Sequence, residues 1–252
     1  MIHSEEFGSG NPIVLIHGFC ESTQIWEKII PFLQQNNRVI ALDLPGFGKS
    51  DNTLSEVTIE SVAEKIYSHL RHNDIEKAAI VGHSLGGYVG LAMLESHPEI
   101  FAGLSLLHST AYSDPIEKRE NRTKSMAFIE KYGVEPFTDS FVPTLFADTS
   151  KEIVETLTKR ASLTSKITVI KYTEAMRDRK DRSLLIADSK VPIQFIAGTE
   201  DNAVPFSDSL KQSQLSSNIE FHPLQGIGHM GMYEDPETVH GLIHNFALKC
   251  FG

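Results

Sequence analysis

The sequence predicts an α/β fold: a mainly parallel central sheet with helices on both faces and a helical insertion late in the chain. Three observations carry that reading. Short, near-continuous apolar runs alternate with stretches of helical periodicity, the pattern of strands buried on both faces. The 252 residues suit one large domain, or one domain with an insertion, at about 150 residues per domain. The alternation then breaks between Tyr112 and Leu185, where charges are frequent and no convincing strand occurs.

Strands are expected at Pro12–His17, Arg38–Asp43, Ala78–His83, Gly103–Leu107, Pro192–Gly198 and Ile219–Leu224, most of them rich in Val, Ile or Leu. Helices lie between them. Ser22 or Thr23 can cap one that runs to about Gln35. Ile59, Val62, Ala63, Ile66 and Leu70 form the apolar stripe of a second. A third starts after Ser84 and stops at about Ser96, before Pro98. At the end of the chain Asp235 is an N-cap with Pro236 at the first helical position, and Val239, Leu242, Ile243 and Phe246 face inward. The stretch 112–185 is too long for a plain connection. It reads as a helical lid over one edge of the sheet, with 1–111 and 186–252 forming the core domain. Two ordinary crossover helices with long loops are the alternative.

Composition excludes several classes. Hydrophobic residues at 40% and charged residues at 22% exclude a disordered chain. Lys+Arg at 23 against Asp+Glu at 33 gives a net charge of −10, a poor match to nucleic acid or an anionic membrane. No run of 18 apolar residues occurs, so no membrane span is expected. The start, MIHSEEFGSG, lacks an apolar core and is not read as a signal peptide. The cysteines are Cys20 and Cys250. They are expected to be free and reduced, which favours a cytoplasmic location over a disulfide between them. No HExxH or paired CxxC is present, so no metal is expected. Gly48-Lys49-Ser50 lacks the earlier glycine of a phosphate loop, Asp43 standing there, and Gly8-Ser9-Gly10 is no dinucleotide fingerprint. No cofactor is expected. A monomer or homodimer acting on a small molecule fits this balance.

Gly82-His83-Ser84-Leu85-Gly86 fits G-x-S-x-G. The pattern alone is weak, but here it follows an apolar strand and opens a helix, which is the setting a nucleophilic serine needs. The tight turn demands small neighbours, supplied by Gly82 and Gly86, and Gly87 lets the helix pack close to the strands. A serine hydroxyl is a poor nucleophile without a base. Of eleven histidines, His229 stands between the last strand and the last helix, on a loop that should gather over the edge where Ser84 sits. Asp201 follows the strand ending at Gly198 and can orient the imidazole, with Glu200 as the alternative. Oxyanion donors are expected from the amides of Leu85, after the nucleophile, and Phe19, after His17-Gly18.

These residues, HGF at 17–19, DLPGFGKS at 43–50, GHSLGG at 82–87, GTED at 198–201 and GIGH at 226–229, resemble the α/β-hydrolase superfamily over nearly the whole chain, in particular its small lidded esterase-like members. The order Ser84, Asp201, His229 is that of the family. The resemblance implies that Asp43–Ser50 is a structural turn beside the active site, and that the antiparallel hairpin common before the first parallel strand is missing or reduced here. Relatives with a nucleophilic Asp cleave epoxides or carbon–halogen bonds, and carbon–carbon hydrolases often carry Asn where His83 stands. The resemblance therefore implies a serine hydrolase of small carboxylic esters, with lactone (including enol-lactone), thioester and perhydrolytic chemistry open to the same triad. A hydrolase-like small-molecule receptor is a reading of another class.

Other residues carry weaker signals. His83 reads as packing, His108 as a strand end unable to supply the acid, Cys20 as a near neighbour without a base, and Trp26 as a core anchor. Phe128, Phe137, Phe141, Phe146, Tyr172 and Met176 of the insertion could line an acyl pocket or form the lid's own core, and Met230 beside His229 joins the pocket candidates.

Overall fold

In a computed structural model, which describes residues 1–52 and 54–252, the apolar runs pair into one sheet of seven strands: β1 (Ser4–Phe7), β2 (Asn11–Ile16), β3 (Asn37–Leu42), β4 (Ala78–His83), β5 (Phe101–Leu107), β6 (Ile193–Gly198) and β7 (Ile219–Leu224). Their spatial order is β1-β3-β2-β4-β5-β6-β7. Every pairing is parallel except that of β1 with β3. The six strands expected from the sequence thus occur within two residues of their expected starts. β1 was not expected. Its polar SEEF sequence carries no apolar signal, and it is held by the ladder to β3 and by a two-pronged Arg38–Glu6 pair at 2.7 and 2.9 Å.

Alternate residues of the strands feed two cores. Val14, Ile16, Ile40, Leu42, Ile80, Leu104 and Phe195 pack on one side, and Ile13, Leu15, Val39, Ala41, Ala79, Val81 and Ile196 on the other. The helices before the long insertion are α1 (Ile30–Leu33), α2 (Ile59–His72) and α3 (Leu85–Ser96). The first core is covered by α2 and α3, with Val62, Ile66, Leu70, Val89 and Met93 buried. The capping box expected of a well-formed helix start is present at Thr58 and Ser61 of α2.

One helix expectation fails. Instead of a continuous helix from Ser22 to Gln35, Ser22 caps a short 3-10 turn (Thr23–Trp26), and α1 starts only at Ile30. Pro31 explains the break: inside a longer helix it would lack a donor and clash with the carbonyl four residues earlier.

Between β5 and β6 lie α4 (Ile116–Tyr132), α5 (Val134–Phe141), α6 (Lys151–Ser162), α7 (Lys166–Asp178) and α8 (Ser183–Asp188), with no strand among the described residues. α4 packs on α7 and α5 on α6. The segment is tied to the rest of the chain by Tyr172, whose hydroxyl donates to the Pro45 carbonyl at 2.9 Å, and by Arg182, which reaches Glu60 and Glu95 at 2.8 and 2.9 Å. The chain closes with α9 (Phe206–Ser213), α10 (Gly231–Glu234) and α11 (Pro236–Phe251), the last capped by Asp235 with Pro236 at its first position. Val239, Ile243 and Phe246 of α11 are buried as expected, whereas Leu242 is only partly so. Cys20 and Cys250 are free thiols. No described helix is long and apolar enough to cross a membrane.

Candidate active site

Six parallel strands end at one edge of the sheet, and each delivers a residue there. Ser84 follows β4 directly. Its backbone sits at φ +50° and ψ −111°, outside the regions open to a side-chain-bearing residue at low cost. Three bonds keep it there: Ser84 N–H donates to Leu107 C=O at 3.0 Å, while Ser84 C=O accepts from Gly87 N–H at 2.9 Å and from the Ser109 hydroxyl at 2.7 Å. The turn closes so tightly that a Cβ at Gly86 would lie 2.1 Å from the Ile16 carbonyl oxygen. Among the described residues, three of the four non-glycine positions with positive φ, Cys20, Ser84 and His108, lie at this edge.

The imidazole of His229 is buried and oriented. Its Nδ1 lies 2.8 Å from Asp201 Oδ2, and no described residue partners its Nε2. The main chain of His229 is pinned as well, its N–H donating to Leu145 C=O at 2.7 Å. Asp201 Oδ1 accepts the amides of Ala203 and Val204, both at 2.8 Å. A second imidazole reaches the carboxylate: His108 Nδ1 is 3.3 Å from Asp201 Oδ2. Burial works against the charge of Asp201, yet the two imidazoles hold its carboxyl well below the usual carboxylate range. Burial pushes His108 down to about 4. Its Nε2 accepts from Gly231 N–H at 3.2 Å, and its Nδ1 lies 3.4 Å from Gly198 N and 3.3 Å from Asp201 Oδ2, so the ring is neutral.

After β2, the loop His17-Gly18-Phe19 faces Ser84. His17 is neutral too: Nε2 accepts from Leu44 N–H at 2.9 Å and Nδ1 donates to Gly18 C=O at 2.7 Å. Asp43 secures the neighbouring turn, its carboxylate taking Thr23 N–H at 2.6 Å and Lys49 N–H at 2.8 Å. The amides of Phe19 and Leu85 have no acceptor among the described residues. Leu85 is the first residue of α3, so its N–H is one of the unpaired donors of a helix start.

Ser84, His229 and Phe19 line one cavity of about 450 Å³, together with Phe141, Met176, Tyr88 and Arg122. A second cavity of about 320 Å³ lies beside Phe19 and is lined by Met230, Val142, Leu145, Leu157 and Arg160, without Ser84 or His229. Of the pocket candidates from the sequence, Phe141 and Met176 reach the first cavity and Met230 the second. Phe137 stacks on Phe141 at 5.3 Å and meets Phe19 edge-on at 6.3 Å. The other three are corrected. Phe128 pairs with Tyr132 on the surface and is 38% exposed. Tyr172 is fully buried against Phe47, at 4.6 Å, as an anchor of its helix. Phe146 packs with the second core and lines neither cavity. Helical spacing identifies an apolar face but not what that face meets.

Sequence reasoning missed Glu21 and underrated two histidines. Glu21 Oε2 lies 2.9 Å from His83 Nδ1 and 2.6 Å from Gly18 N, and His83 Nε2 lies 3.0 Å from the His229 carbonyl oxygen. His83 is thus polar-bonded on both sides rather than mere packing, and His108 faces the Asp201 carboxylate at 3.3 Å. The only signal for Glu21 was its place three residues after Gly18, next to a buried turn. Cys20 is buried, which pushes its thiol up and away from nucleophilic use. Among the described residues, one group has metal-ligand composition, His108, Asp201 and His229, with ligand atoms within 4.8 Å of one another. The 2.8 Å separation of His229 and Asp201 is that of an N–H···O hydrogen bond.

Residues 11–127 match the family model for the alpha/beta hydrolase fold. The dihydrolipoyllysine-residue acetyltransferase component of the acetoin cleaving system of Pseudomonas putida is 30% identical, over 95% of this chain and 64% of that protein. The chain therefore spans less than two thirds of that relative's length. A thermophilic esterase from Thermogutta terrifontis, solved with malate bound, superposes with a TM-score of 0.93 at 25% identity, covering 99% of this chain and 93% of the esterase. The enol-lactonase of Burkholderia xenovorans LB400 superposes at 0.88 with 20% identity, over 97% of this chain and 95% of that one. At that identity the likeness is one of fold alone.

Proposed function

We propose, from the family match over residues 11–127 and the esterase superposition, that the chain is an α/β-hydrolase that hydrolyses small carboxylic esters through an acyl-enzyme on Ser84. One observation carries the reading: an imidazole fixed by Asp201 at 2.8 Å leaves its other nitrogen to the cavity onto which the strained Ser84 opens. Asp201 orients His229 and stabilises its cation. Ser84 Oγ attacks the ester carbonyl carbon while its proton passes to His229 Nε2. The carbonyl π electrons move onto oxygen, and the Phe19 and Leu85 amides hold that oxyanion. The tetrahedral adduct collapses, the bond to the alcohol oxygen breaks, and His229 Nε2–H protonates the leaving alcohol. Water then gives a proton to Nε2, attacks the acyl carbon and releases the acid, and Ser84 recovers its proton.

These steps use side chains, main-chain N–H groups and water. Residues 112–185 act as a lid that brings Phe141 over the cavity. The substrate is a small molecule, the working form a monomer or homodimer, and the location cytoplasmic. A second reading, lactone hydrolysis, uses the same atoms with the leaving alcohol still tethered to the acyl group. The enol-lactonase fold neighbour supports it.

The test is a screen of short p-nitrophenyl esters, lactones and acyl thioesters against the chain and Ser84→Ala. The variant should lose about 10⁴- to 10⁶-fold in kcat. An undiminished rate in the variant removes the assignment. Single-turnover labelling without turnover favours a receptor.

A further inference from the structure

The steps above leave His83, the residue before the nucleophile, without a task. Its ring is 1% exposed, and both nitrogens face groups that only accept: a carboxylate oxygen of Glu21 at 2.9 Å and the carbonyl oxygen of His229 at 3.0 Å. Each nitrogen must therefore carry a proton, and the ring is an imidazolium. His17 and His108, in the same region, each accept a main-chain N–H on one nitrogen and are neutral. Burial opposes the charge on His83, and Glu21 outweighs it, holding His83 above the usual imidazole value and Glu21 below the usual carboxylate range. The other titratable groups around the ring are His17, His108, His229 and Asp201.

The contacts form one path. Gly18 N–H donates to Glu21 Oε2 at 2.6 Å, His83 Nδ1–H donates to the same oxygen, and His83 Nε2–H donates to the carbonyl of His229. The path fits so closely that a Cβ on Gly18 would lie 2.7 Å from His83 Nδ1 and 2.8 Å from Glu21 Oε2. A buried ion pair is a poor device for stability, because desolvation offsets its attraction. What it supplies is direction: two charge-assisted hydrogen bonds fix the ends of the path.

We propose that Glu21 and His83 are positioning residues for the hydrolysis, a buried carboxylate–imidazolium pair that ties the loop presenting the Phe19 amide to the main chain of His229. The pair keeps the oxyanion donor and the base in register across two strands that are not neighbours. The inference rests on the roles assigned above to Ser84 and His229.

The test compares Glu21→Ala, His83→Phe, their double variant and Glu21→Gln, with rates counted per Ser84 labelled by a fluorophosphonate. Each single variant should lose about 10- to 100-fold in kcat with KM nearly unmoved, as displacement of a reacting group predicts. The double variant should lose no more than the worse single one, since the two residues act as a unit. Glu21→Gln, which keeps an acceptor for Gly18, should recover most of the rate. In the unaltered chain, ¹⁵N-labelled histidine should show both His83 nitrogens protonated at neutral pH. A kcat per labelled site that stays within about twofold in both single variants, losses that multiply, or one unprotonated His83 nitrogen overturns the proposal. The nitrogen spectrum is independent of turnover, so it still decides on this pair if Ser84→Ala shows that the catalytic assignment is wrong.

Discussion

His108 Nδ1 stands 3.3 Å from Asp201 Oδ2, the oxygen that already takes the N–H of His229 at 2.8 Å. The second imidazole is neutral and buried, and its value of about 4 lies below the ordinary 6.5. Above pH 6.5 the ring is neutral both folded and unfolded, so its contribution is fully present. Between 6.5 and about 4 only the unfolded chain takes up the proton, so stability falls with pH, by up to about 3 kcal/mol. His108→Asn tolerates the positive φ and removes that titration. Urea unfolding should show the wild type losing about 2–3 kcal/mol more than the variant between roughly pH 7 and 4.5. Equal losses would mean that His108 does not stay neutral in the fold.

Asp201→Asn should lower kcat on a p-nitrophenyl ester by about 10³- to 10⁴-fold, because an amide no longer fixes the productive tautomer of His229. Glu200→Gln, at an exposed neighbour without a bond to His229, should stay within about twofold, a surface change distant from the reacting atoms. Steady-state kinetics of the two variants side by side separate the acid from its neighbour in sequence.

Phe141 lines the cavity of Ser84, whereas Tyr172 anchors the insertion through its 2.9 Å bond to Pro45. Phe141→Ala should change the acyl-chain preference, read as kcat/KM over a series of esters of rising length. Tyr172→Phe should leave that series unchanged and cost about 1 kcal/mol in urea unfolding, the net worth of one hydrogen bond and more if the carbonyl stays dry. Phe128→Ala should change neither.

Asp114 is buried and pairs with Arg122 and, at 2.7 Å, with Arg179, whose guanidinium lies 4.1 Å over the Tyr88 ring. Burial opposes its charge, and the two arginines hold its carboxyl below the usual range. Asp114→Ala leaves Arg179, 3% exposed, without its carboxylate, and should cost about 3–5 kcal/mol in thermal or urea unfolding. A loss under about 1 kcal/mol would show that water reaches these guanidiniums.

The sheet and the residues that meet at its edge were legible because they obey local rules. Strands buried on both faces must be apolar throughout, and a serine on a sharp strand–helix turn must have small neighbours, so β4 and GHSLGG announce themselves. His229 and Asp201 were legible because each follows an apolar run. β1 was hidden because a short edge strand needs only backbone pairing, which leaves no mark on composition. Pro31 was in plain view, and its effect on the helix after Ser22 follows from its missing donor. Glu21 and the place of His108 beside Asp201 were out of reach, since a polar side chain three residues past a turn looks like any solvated one until its partner from another strand is placed beside it. The aromatic residues of the insertion failed as pocket markers for the same reason: Phe141 and Phe128 have one chemistry and opposite surroundings.

Ser84 hangs from the fourth strand, whereas His229 arrives after the seventh, on the far side of the long helical segment. On the proposed mechanism, a chain still emerging from the ribosome therefore carries an inert alcohol, even when its first half has already folded. On that mechanism reactivity is conferred only when the last strand docks, so an unfinished or clipped polypeptide would not attack the esters around it.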